Sequence, residues 1–193
     1  MRAFAVWLLM SAAALADPLA PEPHELTALY AAGEVQLDLT ENPAAPYVPL
    51  QGDIRLYKRG GQLSPEDRSE HRPALCSLEL TMTLRAMAET CRGLARPDHL
   101  RVMDTAIDAH IGFIAGNHQP SRPVPEVRLL IAQKMSDTYI RLKNRSICTE
   151  REMSRWLPLM QDIESGTFET ALAASLNAPR LPVSAPCAQG ANQ

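Results

Sequence analysis

The chain has 193 residues, with 19 Lys and Arg against 22 Asp and Glu, and four cysteines. That balance leaves no basic footprint for a nucleic-acid partner, and an aromatic content of 5% is too thin for a base-stacking platform. No nucleotide-binding glycine motif, nucleophile elbow or c-type haem signature occurs in it, which argues against a cofactor or a short-motif enzyme.

The opening, MRAFAVWLLMSAAALAD, has one basic residue, an apolar run from Ala3 to Met10 and small residues ending in Ala14-Leu15-Ala16. This is the layout of a secretory signal peptide, expected over residues 1–16 with the mature protein starting at Asp17. The run is about half the ~20 residues of a membrane-spanning helix, and Pro18, Pro21 and Pro23 follow it. No membrane span is expected there or later. Losing Arg2 with the leader leaves 18 basic residues against 22 acidic ones, a formal charge of −4. The preference for Arg over Lys in a chain rich in Ala and Pro suggests a bacterium of high GC content, and hence a periplasmic or secreted protein.

Residues 17–63 read as a proline-rich arm. PEPHELTALYAAGE allows a short helix with Pro23 in its first turn and Gly33 as its stop. EVQLDLT alternates at Val35, Leu37 and Leu39 like a half-buried strand, and DIRLY is its expected partner in a minor β pair. The intervening NPAAPYVPLQG, with three prolines, reads as extended or irregular.

Residues 64–177 carry helical signals, and the expected fold is a mostly α, antiparallel helical bundle. Ser64 and Pro65 suggest an N-cap and first helical position. CSLELTMTLRAMAETC holds two apolar stripes, one through Cys76, Leu80, Leu84, Met87 and Cys91, the other through Leu75, Leu78, Met82 and Ala86. That pattern describes a helix packed on two sides. Further helices are expected from Pro97 to Gly116-Asn117, from Pro125 to about Arg145, from the capping box Thr149 and Glu152 to Gly166, and over TFETALAASLN. Residues 178–193 form a proline-containing tail.

Four cysteines in an exported chain predict two disulfides. Fifteen residues of helix rise about 22 Å, whereas bonded cysteines need Cα atoms within about 7 Å, so Cys76 and Cys91 cannot pair. Antiparallel helices bring the ends near Cys91 and Arg145 together. The expected bridges are therefore Cys91–Cys148 and Cys76–Cys187.

Candidate chemistry is sparse. His110 falls between two apolar stripes of its helix and reads as a buried neutral imidazole; its functional alternative is a general base. Asp104 and Asp108 lie one turn apart and resemble an acid-base or hard-metal pair, although with Arg101 and Thr105 they make a solvated stripe. Glu126 is a further candidate carboxylate. His118 and Arg122, on a proline-stiffened loop, can bind a ligand or simply connect helices. Arg141 and Arg145, with Lys143, Arg151 and Arg155, can hold an anionic glycan or phosphate, or complement a helix dipole. No Cys or His spacing suggests a metal site.

These residues favour a small exported protein that binds a protein or envelope component, as adaptor, inhibitor or envelope-assembly factor. The competing expectation is a small periplasmic hydrolase of envelope glycans acting through these carboxylates and His110.

Overall fold

A computed structural model describes residues 17–41, 43–91, 93–143 and 147–184. In it, helix α1 (Pro23–Ala32) precedes four strands, β1 (Gln36–Asp38), β2 (Ala45–Leu50), β3 (Ile54–Arg59) and β4 (Gln62–Asp67). Five helices follow: α2 (Ala74–Thr90), α3 (Pro97–Asn117), α4 (Val124–Lys143), α5 (Glu150–Ser165) and α6 (Thr167–Asn177). The molecule is thus mostly helical, with a small antiparallel sheet in the order β1-β2-β3-β4.

The sheet is larger than the expected β pair, and its pairing differs. β1 pairs with β2, in the register Leu37↔Pro46, and β3 lies between β2 and β4. The stretch that reads as extended or irregular is strand β2, which is possible because its prolines sit where the ladders end. Pro49 lies beyond the three residues of β1, and Pro46 lies beyond the last register pair with β3, Tyr47↔Tyr57. Neither position needs an N–H there.

Ser64 and Pro65 do not begin a helix; they lie in β4, and α2 starts at Ala74. Pro65 fits an outer strand as well as it fits a first helical turn, and Gly60-Gly61 decides the matter. Their φ values of 56° and 83° make a two-residue turn that folds Gln62 back onto Arg59. Gly52, at φ 73°, allows another close approach: a Cβ there would lie 2.5 Å from the Cβ of Arg180.

Three apolar clusters hold the molecule. Leu75, Leu78 and Met82 of α2 meet Ile111 and Ile114 of α3 and Val127 and Ile131 of α4, with Leu19 inserted from the N-terminal side. Leu84, Met87 and Cys91 join Leu94, Met103 and the α5 residues Met160 and Ile163. Leu75, Leu78 and Met82 of one α2 stripe therefore meet α3 and α4, and Leu84, Met87 and Cys91 of the other meet α3 and α5. The third cluster sandwiches Leu26 of α1, Val48, Ile54 and Leu56 of the sheet, and Leu181 and Val183 of the tail.

Helix ends follow their signals. Pro23 and Pro97 occupy first turns, Thr149 accepts a bond from the Glu152 N–H, and Gly166 ends α5 in the left-handed region at φ 75°. α4 begins at Val124, one residue before the expected Pro125.

Cys91 and Cys148 form a disulfide with a Cα–Cα distance of 5.3 Å, closing 57 residues of sequence separation. By loop entropy this closure is worth about 4 kcal/mol. It is the one disulfide described; Cys76 is not a free thiol, and its expected partner Cys187 lies outside the described residues. None of the described helices is long and apolar enough to cross a membrane.

Candidate functional site

α3 projects Asp104 and Asp108 from successive turns onto the rim of a groove against α4. This groove, about 590 Å³, has Ile107, Ile111, Ile131 and Met135 in its wall. At one end the Arg85 Nε donates to Asp104 Oδ1 at 2.7 Å, and Arg85 Nη1 donates to Glu89 Oε2 at 2.7 Å. The Tyr139 hydroxyl donates to the same Glu89 carboxylate. At the other end Arg128 Nη1 donates to Asp108 Oδ1 at 2.7 Å.

Each carboxylate of the pair therefore has its own guanidinium, one from α2 and one from α4. Burial, reinforced by the bond to Glu89, pushes the Tyr139 phenol up to about 12, so it stays a donor at neutral pH. The same bond holds Glu89 below the usual carboxylate range. The groove rim is thus a network of ion pairs and hydrogen bonds joining α2, α3 and α4.

His110 points the other way. It is fully buried, and its Nδ1 lies 2.8 Å from the Ala106 carbonyl one turn back, which it reaches as a donor. Its Nε2 has no hydrogen-bond partner among the described residues. Burial pulls the imidazole down to about 4, with the Ala106 carbonyl pulling weakly upward, so the ring is neutral at pH 7. The structure thus separates His110 from the carboxylates with which a hydrolase would need to combine it. Glu126 is exposed on the first turn of α4.

His118 and Arg122 have an intramolecular task. His118 Nε2 donates to the Leu19 carbonyl at 3.0 Å, and Arg122 Nη1 donates to the Pro18 carbonyl at 2.7 Å. Lys134 adds a 2.6 Å ion pair to Asp17. Together they strap residues 17–19 onto the bundle, which is how Leu19 comes to be 1% exposed. Burial lowers the His118 pKa, opposed by the Leu19 carbonyl. Arg141 is exposed and donates to Thr138 Oγ1 at 3.1 Å, while Arg145 lies outside the described residues.

The structure also builds polar centres that the sequence does not announce. On the sheet, the buried Asp38 carboxylate accepts from Thr40, from the Tyr57 hydroxyl and from Arg55. These bonds hold it far below the usual carboxylate range, the Thr40 hydroxyl contributing most. Arg180, 2% exposed, donates from Nε to Asp67 Oδ2 at 2.9 Å and from Nη2 to Ser175 Oγ at 2.9 Å and the Arg72 carbonyl at 3.2 Å. The i,i+4 spacing of Arg85 and Glu89 is a readable signal. Tyr139, 50 residues from Glu89, and Arg180, 113 residues from Asp67, have no local one.

Among the described residues, no three His, Cys, Asp or Glu side chains come together as a metal-holding group. No family profile, curated protein or solved structure matches the chain.

Proposed function

We propose that the protein acts by binding a protein or envelope component in an oxidising compartment outside the cytoplasm, and carries out no hydrolysis. The observation that supports this is the commitment of Asp104, Asp108, His110, His118 and Arg122 to partners inside the fold, with Glu126 left exposed on α4. Asp104 and Asp108 are each ion-paired, His110 is neutral and buried among apolar side chains, and His118 and Arg122 clamp the chain's own Pro18 and Leu19. A nucleophile, base and orienting acid converge nowhere in this set.

Export is favoured by the Cys91–Cys148 bond, which persists in oxidising compartments, and by the leader-like residues 1–16. In the same reading Cys76 and Cys187 form the second bridge. A role as adaptor, inhibitor or assembly factor fits a stapled helical body of this size.

The test has two arms. Thiol alkylation of intact cells followed by osmotic-shock fractionation should recover the protein in the shock fluid with its cysteines unalkylated until reduced; free thiols in the cytosolic fraction would overturn export. Purified envelope glycan incubated with the protein should release no new reducing ends. Release that is lost in Asp104→Asn or Asp108→Asn would instead establish the hydrolase.

A further inference from the structure

Leu19 is buried in the helical body, yet it belongs to a turn rather than to a helix or strand. Its N–H donates to Asp17 Oδ1 at 3.0 Å, and the Ala20 N–H donates to the Asp17 carbonyl at 2.9 Å, so residues 17–20 close on themselves. Three side chains of the body grip that turn: Lys134 takes the Asp17 carboxylate, Arg122 the Pro18 carbonyl and His118 the Leu19 carbonyl. Asp17 and Pro18 also wall a groove of about 570 Å³ between α2 and α4, beside Met82 and Leu130.

Of the three gripping groups, the imidazole is the kind that changes charge in mild acid. Its surroundings favour the neutral ring. Nε2 carries the proton donated to Leu19, which leaves a lone pair on Nδ1, and Nδ1 has no hydrogen-bond partner among the described residues. The side chain is 0% exposed, so bulk water does not reach that lone pair or any proton placed on it.

The charged groups around His118 do not offset its burial. Glu25 of α1 brings Oε2 to 3.8 Å from Nδ1, beyond hydrogen-bonding distance. That oxygen already accepts the Glu22 N–H at 2.6 Å and lies 3.9 Å from the Arg122 guanidinium. Arg122, on the loop before α4, repels a second cation, Glu126 of α4 attracts one weakly, and Asp17 of the turn is engaged by Lys134. Burial has the largest effect; with Arg122 it outweighs the Leu19 carbonyl, Glu25 and Glu126, and it holds the imidazole below its ordinary value near 6.5.

We propose that His118 makes residues 17–20 an acid-released strap: proton uptake by the imidazole favours the form in which the turn has left the bundle and Leu19 has left its apolar site. The strapped form holds a neutral, dry ring and the released form a hydrated one, so protons favour release. The His118 contribution to docking is complete above about pH 6.5 and is lost as pH falls from there towards the lowered value of the buried ring. Carboxyl, ammonium and guanidinium groups ordinarily titrate outside that interval. Release opens the place of Leu19 in the cluster of α2, α3 and α4 and takes Asp17 and Pro18 out of the groove wall. The device concerns the chain's own N-terminal turn and does not rest on the binding function above.

Amide hydrogen exchange of Leu19 and Ala20, followed by NMR on protein purified after expression of the full chain, reads release once rates are corrected for their intrinsic pH dependence. From about pH 7 to about pH 5 the opening constant should rise several-fold, with a ceiling of about 25-fold for an imidazole that protonates only when released. His118→Gln keeps an N–H donor for the Leu19 carbonyl and cannot titrate, so its opening constant should stay level over that interval. His24→Gln in both proteins removes the exposed imidazole of α1 from the comparison.

A second reading needs no change at position 118. In an NMR titration the His118 ring should gain its proton together with the loss of the buried methyl shifts of Leu19. An opening constant that stays level or falls in acid would overturn the strap, as would a rise that persists in His118→Gln. A ring that protonates while the Leu19 methyls stay in place would also overturn it, because the proton would then be held inside the docked form.

Discussion

The helices α2, α3 and α4 bury Leu78, Met82, Ile114 and Val127 against one another, whereas the sheet buries Asp38, Tyr57 and Asp67 against Arg55 and Arg180. Apolar area stabilises the first region and tolerates small changes of shape at moderate cost. The second adds to its own apolar cluster a set of matched charges, each costly to leave alone. The same chain therefore contains two kinds of core, and they should fail under different perturbations.

The sharpest way to separate them is by deletion and rescue. Arg180→Ala leaves Asp67 buried without its guanidinium and should cost about 3–5 kcal/mol in urea melts. Replacing Asp67 as well, as in Arg180→Met with Asp67→Leu, should recover much of that loss, because a buried pair adds little net stability over apolar groups of similar volume. Met82→Ala in α2 should cost about 2–5 kcal/mol, and no second polar change restores it.

Next in size is the bridge. Cys91→Ser with Cys148→Ser should lower stability by up to about 4 kcal/mol, with the loss falling on the α2, α3 and α5 cluster rather than on the sheet. Hydrogen exchange resolved by peptide would distinguish the two regions.

Acid separates them again. His110 is neutral in the fold, near 4 against about 6.5 unfolded, so the unfolded chain takes up a proton first as pH falls. Its contribution, roughly 3 kcal/mol, is present above pH 6.5 and is lost between there and pH 4. His110→Leu should flatten that interval. Asp38 works in a lower window: its bonds stabilise the fold above its unfolded value near 4 and are lost as pH falls below it. Asp38→Asn should alter the acid limb alone. Melts at half-unit pH steps test both, and coincident windows would contradict the separation.

At the small end, Gly52→Ala forces a side chain into the left-handed region and towards Arg180, for about 1–3 kcal/mol. Arg128→Ala removes an exposed pair with Asp108 and should stay within about 0.5 kcal/mol.

The two regions also differ in how far they can be read from the sequence. Helical periodicity reveals α2, though not its start, and local end signals help to place the later helices: Leu75, Leu78 and Met82 repeat at helical spacing, and Thr149 and Gly166 mark the ends of α5. Helix length excludes a Cys76–Cys91 bond and, with antiparallel packing, brings Cys91 to Cys148. The sheet is obscured because its strands contain prolines and charges whose justification lies elsewhere. Asp67 belongs in a core only once Arg180 arrives, and Pro46 and Pro49 are acceptable only because both ladders have ended. The candidate site divides likewise. The spacing of Asp104 and Asp108 is legible, but their partners Arg85 and Arg128 come from other helices. His118 and Arg122 hold a segment about 100 residues upstream, a task no motif encodes.

Arg180, Leu181 and Val183 supply one wall of the sheet's interior, and Arg180 follows its partner Asp67 by 113 residues. During synthesis the strands emerge more than a hundred residues before that wall exists, with Asp67 still unneutralised. The β-rich half must therefore wait, unfinished, while the helices behind it are made.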